Sequence, residues 1–347
     1  MELQLKNIGM IKEASVKIDG LTVIAGENDT GKSTVGKALF MLLYHINHTL
    51  HIMQIKKEKG SISLPVLHKT NLLEQSIDAI KLPKLIFDNE ITNSNIKISY
   101  GNSNLNFKIN EKNTIYAEKD FLFDRDNDKV YLPVFIETPL VWNFNKFFNQ
   151  MSTVESHLNI LGKQAQIDYP FLLKDLNFNL SIANENEKII SSNIKDIIYS
   201  IIKGIFKKDE IGNFYFEREN KKISLKNTAT GIKTFGILQV LLENNYLKDN
   251  TILILDEPEV HLHPKWQLEM AKVIVELVKN GVKIVVNSHS PYMIQALIKY
   301  ARDENIVDKS NFYLTKKVDD CVIINNVNDE LNKIFELLAK PMNEVYE

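Results

Sequence analysis

Gly26-Glu27-Asn28-Asp29-Thr30-Gly31-Lys32-Ser33 decides the reading of this chain. Two glycines separated by four residues, followed by Lys and Ser, form the pattern of a phosphate-cradling loop. Glycines let the backbone close around phosphate oxygens, and the loop N–H groups and the start of the next helix face the negative charge. Lys32 is placed to reach the β- and γ-phosphates, and Ser33 to hold Mg²⁺. The flanks agree with this. The apolar run Leu21–Ala25 reads as a buried strand, and Val35, Leu39, Leu42, Leu43 and Ile46 form one stripe of a following helix. ATP and Mg²⁺ are the expected cofactors, with Gly26, Asn28, Asp29, Thr30, Gly31, Lys32, Ser33 and Thr34 as the expected nucleotide-binding residues.

Two further stretches complete a phosphate-transfer constellation. Thr251-Ile252-Leu253-Ile254-Leu255-Asp256-Glu257 is an apolar strand tipped by two carboxylates. Asp256 is expected in the metal shell, and Glu257 beside the attacking water. Asn287-Ser288-His289-Ser290-Pro291 follows the next apolar strand, Lys283–Asn287, and places His289 33 residues after Asp256. Between them, Leu268, Ala271, Ile274, Val275 and Val278 have helical spacing. Strand, helix, strand at this spacing implies a parallel sheet, with His289 at a strand end next to the carboxylates.

Together these segments resemble the ABC-type ATPases of the SMC, RecF-like and OLD-like group. LKNIGMIKEASVKIDGLTVIAGENDTGKST resembles the opening of their heads, and LDEPEVHLHP resembles their second carboxylate strand and D-loop. The resemblance covers roughly 1–50 and 225–300. It implies an α/β fold: a P-loop head with a mixed, largely parallel sheet, flanking helices and N-terminal antiparallel strands. It also implies a signature sequence, for which Asn227-Thr228-Ala229-Thr230-Gly231-Ile232-Lys233 is the candidate. In the family this helix start points at the γ-phosphate held by a second protomer, so Thr230, Gly231 and Lys233 are expected near nucleotide and a homodimer is expected around two ATP. Ala229 stands where the family has Ser. After the strand Leu132–Ile136, Glu137 or Thr138 takes the place of the family's usual Gln, with Glu137 the expected metal ligand.

Residues 1–50 and 221–347 are expected to form the nucleotide-binding core, with 51–220 an α+β insertion. The insertion reads as a small antiparallel meander over 91–131 and helices over 146–206 with a break at Tyr169-Pro170. It shows no sustained heptad run and no CxxC hook, so the long arms of SMC proteins are not expected. About 45 residues follow Tyr300, too few for the nuclease domain of OLD proteins. In TATGIKTFGILQVLL followed by LDEPEVHLHP the chain resembles the stand-alone ATPases of bacterial antiphage systems, the PtuA-like subunits of Septu and retron systems. That implies a slow ATPase that restrains a separate effector, a nuclease or a toxin. The alternative is a RecF-like repair ATPase acting on DNA directly; a third reading is a nucleotide-locked scaffold with little turnover.

Composition narrows the field. The chain has 347 residues, with 42 Lys and Arg against 44 Asp and Glu, which excludes binding driven by global positive charge. One cysteine, Cys321, excludes an internal disulfide or a multi-cysteine zinc site and fits a cytoplasmic setting. No membrane span is expected. Lys207, Lys208, Arg218, Lys221, Lys222 and Lys226 form a basic stretch, expected as a solvated face with nucleic-acid contact the competing reading. His45, His48 and His51 are expected as solvated or capping side chains instead of metal ligands, and His261 and His263 as dimer or packing contacts. Asp124–Asp128 resembles the start of a calcium loop but has Lys129 where that loop needs Gly.

Overall fold

The computed structural model describes residues 1–58, 77–87, 91, 93–100, 103–111, 115–117, 130–161, 170–184 and 192–346. His51 lies within a described helix, and Asp124–Asp128 lie outside the described residues.

Strands β1 (Glu2–Ile8) and β2 (Ile11–Lys17) form an antiparallel pair, and β3 (Leu21–Ala25) leads through the glycine loop into α1 (Lys32–Glu58). Then come α2 (Ile77–Phe87), β4 (Ser94–Tyr100), β5 (Ser103–Ile109), β6 (Ile115–Ala117), β7 (Leu132–Ile136), α3 (Val141–Ile160), α4 (Phe171–Ser181) and α5 (Ser192–Ile202). A three-stranded antiparallel sheet, β8 (Ile205–Lys208), β9 (Phe214–Arg218) and β10 (Lys221–Ser224), precedes α6 (Thr230–Glu243). The chain closes with β11 (Thr251–Asp256), α7 (Pro264–Lys279), β12 (Lys283–Ser288), α8 (Pro291–Asp303), β13 (Ser310–Val318), β14 (Cys321–Asn326) and α9 (Asn332–Tyr346).

One large sheet organises these elements, in the order β6-β5-β4-β1-β2-β14-β13-β3-β12-β11-β7. Its β13-β3-β12-β11-β7 part is parallel. The parallel strands read as unbroken apolar runs because both faces are covered. Alternation assigns each residue to a face. Val23, Leu253, Leu255, Ile284 and Val286 pack into a core shared with α6, α7 and α8, whereas Ile24, Ile252, Ile254 and Val285 pack under α1. Gly36 permits that close approach: a Cβ there would lie 2.8 Å from Ile254.

The meander expected over 91–131 is present as β4–β6, but it is not set apart. β4 pairs antiparallel with β1, from Glu2 with Ser99 to Lys6 with Asn95, so the core sheet runs through it and the β1 edge is covered. β7 likewise pairs with β11 inside the core sheet. The break at Pro170 is the N-terminus of α4, as its missing N–H favours.

One expectation is corrected. His45 is neither solvated nor capping: it is 1% exposed, edge-on to Phe107, with both ring nitrogens unpaired. Phe107 of β5 lies against this side of α1, so its histidine falls inside. The insertion also carries a short heptad stripe. Leu140, Phe144, Phe147, Met151, Val154, Leu158 and Leu161 recur at alternating spacings of four and three along α3 and its flanks. Leu140, Phe144, Phe147, Val154 and Leu161 are exposed.

Candidate nucleotide-binding site

The site lies at the carboxyl ends of β3, β11, β12 and β7, where open α/β sheets place ligands. Parallel register brings it together: Asp256 is level with Asn287, and Ser288 with Ala25.

The loop between β3 and α1 is shaped by close contacts. A Cβ on Gly26 would lie 1.8 Å from Thr315 Oγ1, and Gly31 has φ +72° with Ile11 against it. Thr315 Oγ1 donates to Thr30 Oγ1 at 2.7 Å, and Thr30 Oγ1 donates to the Glu27 carbonyl at 2.7 Å. β13 therefore braces the loop from behind. Asn28 and Asp29 are exposed at its tip, and Asp29 has φ +58°. Thr34 follows in the first turn of α1, close to Gly9.

Lys32 is 4% exposed; Nζ donates to the Glu27 carbonyl at 2.6 Å and lies 3.8 Å from Glu257 Oε1. Burial lowers its pKa, opposed by Glu257 and Asp256. Ser33 Oγ donates to Asp256 Oδ1 at 2.9 Å, and Asn287 Nδ2 donates to the same oxygen at 2.8 Å. Burial raises the Asp256 pKa, and these two hydrogen bonds hold it back. Glu257 has φ +49°, a conformation disfavoured for a non-glycine residue, and its N–H is fixed by the Asn287 carbonyl at 2.9 Å. Its Oε1 sits 3.1 Å from His289 Nδ1.

A cleft of about 310 Å³ runs beside this group, lined by Ser33, Glu137, Thr138, Asp256, Glu257 and Thr234 among others. Glu137 lies 3.6 Å from Lys37 Nζ at its edge. The residues singled out at the carboxylate strand, the loop and the histidine turn thus converge: Lys32, Ser33, Asp256, Glu257 and His289 form one constellation.

The signature candidate is laid out differently. Thr230 opens α6, Ala229 precedes it with no side-chain cap, and Gly231 is buried where a Cβ would meet Trp266 at 3.1 Å and Leu262 at 3.2 Å. Its helix start therefore packs on the turn after Glu257. Lys233 Nζ donates to Asn143 Oδ1 at 3.3 Å, in a second cleft that Ser33 and Asp256 do not line. His263 caps α7, its Nδ1 accepting from the Lys265 N–H, and His261 is exposed with φ +67°.

Sequence reading missed Glu259. It is 4% exposed, and its Oε1 accepts from Ser288 Oγ at 2.7 Å, His289 N at 2.9 Å and Ser290 N at 3.2 Å. Burial raises its pKa. The signal was available as a third carboxylate two residues after Glu257, but its target is a turn 30 residues away. Asn287 and Thr315 were missed for the same reason.

Comparisons with known proteins agree with this geometry. An AAA domain model matches residues 1–55, and an AAA ATPase domain model matches 148–294. The chain is 23% identical over 324 residues to Septu protein PtuA of Bacillus thuringiensis, covering 85% of this chain and 72% of that protein. An uncharacterised protein of Methanocaldococcus jannaschii is 29% identical over 118 residues, 34% of this chain and 13% of the relative. Among solved structures, an SMC head bound to the C-terminal winged-helix domain of ScpA superposes with TM-score 0.54 at 13% identity, covering 96% of this chain and 98% of that one. An SMC head domain with an extended coiled coil, bound to the C-terminal domain of ScpA derived from Pyrococcus furiosus, gives 0.50 at 13% identity, covering 100% and 99%. Loop, carboxylates, sheet and likenesses converge on one conclusion: the chain is an ATPase with the fold of SMC heads.

Proposed function

We propose that the chain is the regulatory ATPase of an antiphage defence system, hydrolysing ATP slowly and controlling a separate effector such as a nuclease. The observation that carries the chemistry is the contact between the loop and the carboxylate strand, Ser33 to Asp256, with Glu257 and His289 alongside. Similarity to Septu protein PtuA over most of both chains supports the biological role.

In this reading Gly26, Asn28, Asp29, Thr30, Gly31 and Thr34 cradle the phosphates, and Lys32 neutralises the β–γ oxygens. Ser33, Asp256 and Glu137 are hard oxygen donors converging on one cleft, a set that fits Mg²⁺. When bound, that ion offsets phosphate charge and orients the γ-phosphoryl group. Glu257 accepts a proton from the attacking water, and His289 holds the Glu257 carboxylate in place. A second protomer supplies Thr230 and Gly231 at the uncapped start of α6, where the helix dipole favours an anion, making a head-to-tail homodimer around two ATP. Lys233 adds positive charge behind that turn. The functional core is 1–50 with 221–347, elaborated by 51–220. No helix among the described residues is long and apolar enough to cross a membrane, and we place the chain in the cytoplasm.

The exposed stripe on α3 supports a protein partner, because an apolar heptad seam is buried when another helix packs on it. The test is a tagged Glu257→Gln chain, recovered from its native host with neighbouring genes intact and read by mass spectrometry. A co-purifying nuclease or toxin supports the proposal. Repair proteins and DNA alone would replace it with a role on DNA. Lys32→Ala serves as the control and should lose ATP binding; equal ATP affinity would remove Lys32 from the site.

A further inference from the structure

Behind the nucleotide cleft lies a larger one of about 560 Å³. Its walls come from the start of α3, the β8–β9 turn and the turn before α6. Three ammonium groups line it, Lys146, Lys226 and Lys233, against one carboxylate, Asp209. That carboxylate is engaged in its own turn, accepting from Ile211 N at 3.1 Å and Asn213 N at 2.8 Å through Oδ1, and from Asn213 Nδ2 at 3.2 Å through Oδ2. Lys146 and Lys226 are exposed, and Lys146 helps to hold the Asp209 pKa down; among the described residues none of the three lysines makes a close ion pair. Lys233 is 8% exposed, and its ammonium has one neutral acceptor, Asn143 Oδ1. A buried ammonium is costly to leave without an anion.

The cleft thus has a net positive lining, with Lys233 its buried member, in a space larger than any simple ion needs. We infer that this cleft binds a phosphate monoester of nucleotide size, its dianion between Lys146, Lys226 and Lys233. Three lysines from three separate elements meet one doubly charged group there, whereas an internal phosphodiester offers a single charge.

The placement gives the cleft a consequence for turnover. Glu137, Thr138 and Pro139 line the nucleotide cleft, and Trp142, Asn143 and Lys146, a few residues on, line this one. In α6, Thr234 faces the first and Lys233 the second. Trp142 Nε1 donates to the Lys233 carbonyl at 2.9 Å and ties the two segments together. Occupancy of the second cleft thus acts on the wall of the first. This inference goes beyond the defence reading and stands without it.

The probe is AMP, titrated calorimetrically into the full-length Lys32→Ala chain, so that the glycine loop does not contribute. AMP should bind, and adding Lys146→Ala and Lys226→Ala should weaken it by about tenfold per lysine. The same pair of substitutions with Lys32 intact should leave ATP turnover in the absence of AMP unchanged. A parallel titration uses a trinucleotide with and without a 5′-phosphate. Binding of the 5′-phosphorylated form alone, lost with the lysines, keeps the phosphomonoester and assigns it to a nucleic-acid end. Equal binding of both forms, AMP affinity indifferent to the lysines, or no binding of any probe would overturn the inference.

Discussion

Ser33 Oγ donates to Asp256 Oδ1 at 2.9 Å across 223 residues of chain. The contact joins the first turn of α1 to the tip of β11, and Asn287 donates to the same oxygen from β12. Two strands of the sheet and the first helix are thereby locked around one buried carboxylate whose pKa is raised by that burial.

Asp256→Asn should separate stability from activity. The carboxylate is costly in its buried position, and Asn keeps an oxygen acceptor for Ser33 and Asn287. The melting temperature should be unchanged or higher, while ATP turnover falls by at least about a hundredfold because the charge that holds Mg²⁺ is gone. Calorimetric melting and a phosphate-release assay check both halves. A parallel loss of stability and activity would make Asp256 a structural residue.

The sequence made this site legible where chemistry is local. The loop, β3, the apolar stripe of α1 and the carboxylate end of β11 are each written within a dozen residues, and the spacing of β11 and β12 placed His289. What stayed hidden depends on pairing between distant segments. Nothing in the pattern of Ser94–Tyr100 says that it will lie against Glu2–Ile8. The burial of His45 follows from that pairing, since Phe107, which lies edge-on to it, is on β5, held beside β1 through β4. Trp142 reads as an ordinary apolar helix residue, yet its indole fixes the first turn of α6 ninety-one residues away. The stripe on α3 was local, but it is only three heptads long in a segment judged against arms of far greater length.

His45 predicts a pH dependence. Burial, and next to it His48, lowers its pKa from 6.5 to about 4 in the fold. Between those values the unfolded chain binds a proton that the folded chain refuses. The contribution is therefore flat above about 6.5 and destabilises progressively as pH falls towards 4, by about 3 kcal/mol in full. His45→Leu should flatten that slope. At pH 7 it should also stabilise by about 1 kcal/mol, because both ring nitrogens are buried and unpaired. Denaturant midpoints at pH 7.5 and pH 5 read this directly; equal pH slopes for the two chains would contradict it.

Phe144 and Phe147 test the seam on α3. Both are more than 40% exposed and touch each other edge-on at 6.4 Å between centroids. Phe144→Lys/Phe147→Lys should lower the melting temperature modestly, since each ring is still more than half covered and packs on Phe148, and should leave ATP turnover per folded chain unchanged. Recovery of the partner in the native-host pull-down should fall at least about tenfold, as expected when apolar anchors of an interface are replaced by charge. Full recovery of the partner would move the docking surface elsewhere.

Glu259 gives the sharpest test of how the histidine turn is held. One oxygen receives three hydrogen bonds, from Ser288 Oγ and from the N–H groups of His289 and Ser290, so the turn is formed around it. Glu259→Gln preserves an oxygen at Oε1 and removes the charge. Glu259→Ala removes the acceptor and strands Ser288 Oγ and the His289 N–H, while the Ser290 N–H keeps Ser288 Oγ at 3.1 Å, at a cost of about 2 kcal/mol or more. If Glu259 acts through His289 by positioning it, the Gln chain should retain most of its ATP turnover. The Ala chain should lose about tenfold or more with little change in KM, because substrate binding belongs to the loop around Lys32. If Gln were as impaired as Ala, the negative charge itself would be needed, and Glu259 would have to act on the reacting groups. Turnover and KM for the two variants, each normalised to folded protein by its melting curve, decide between the two.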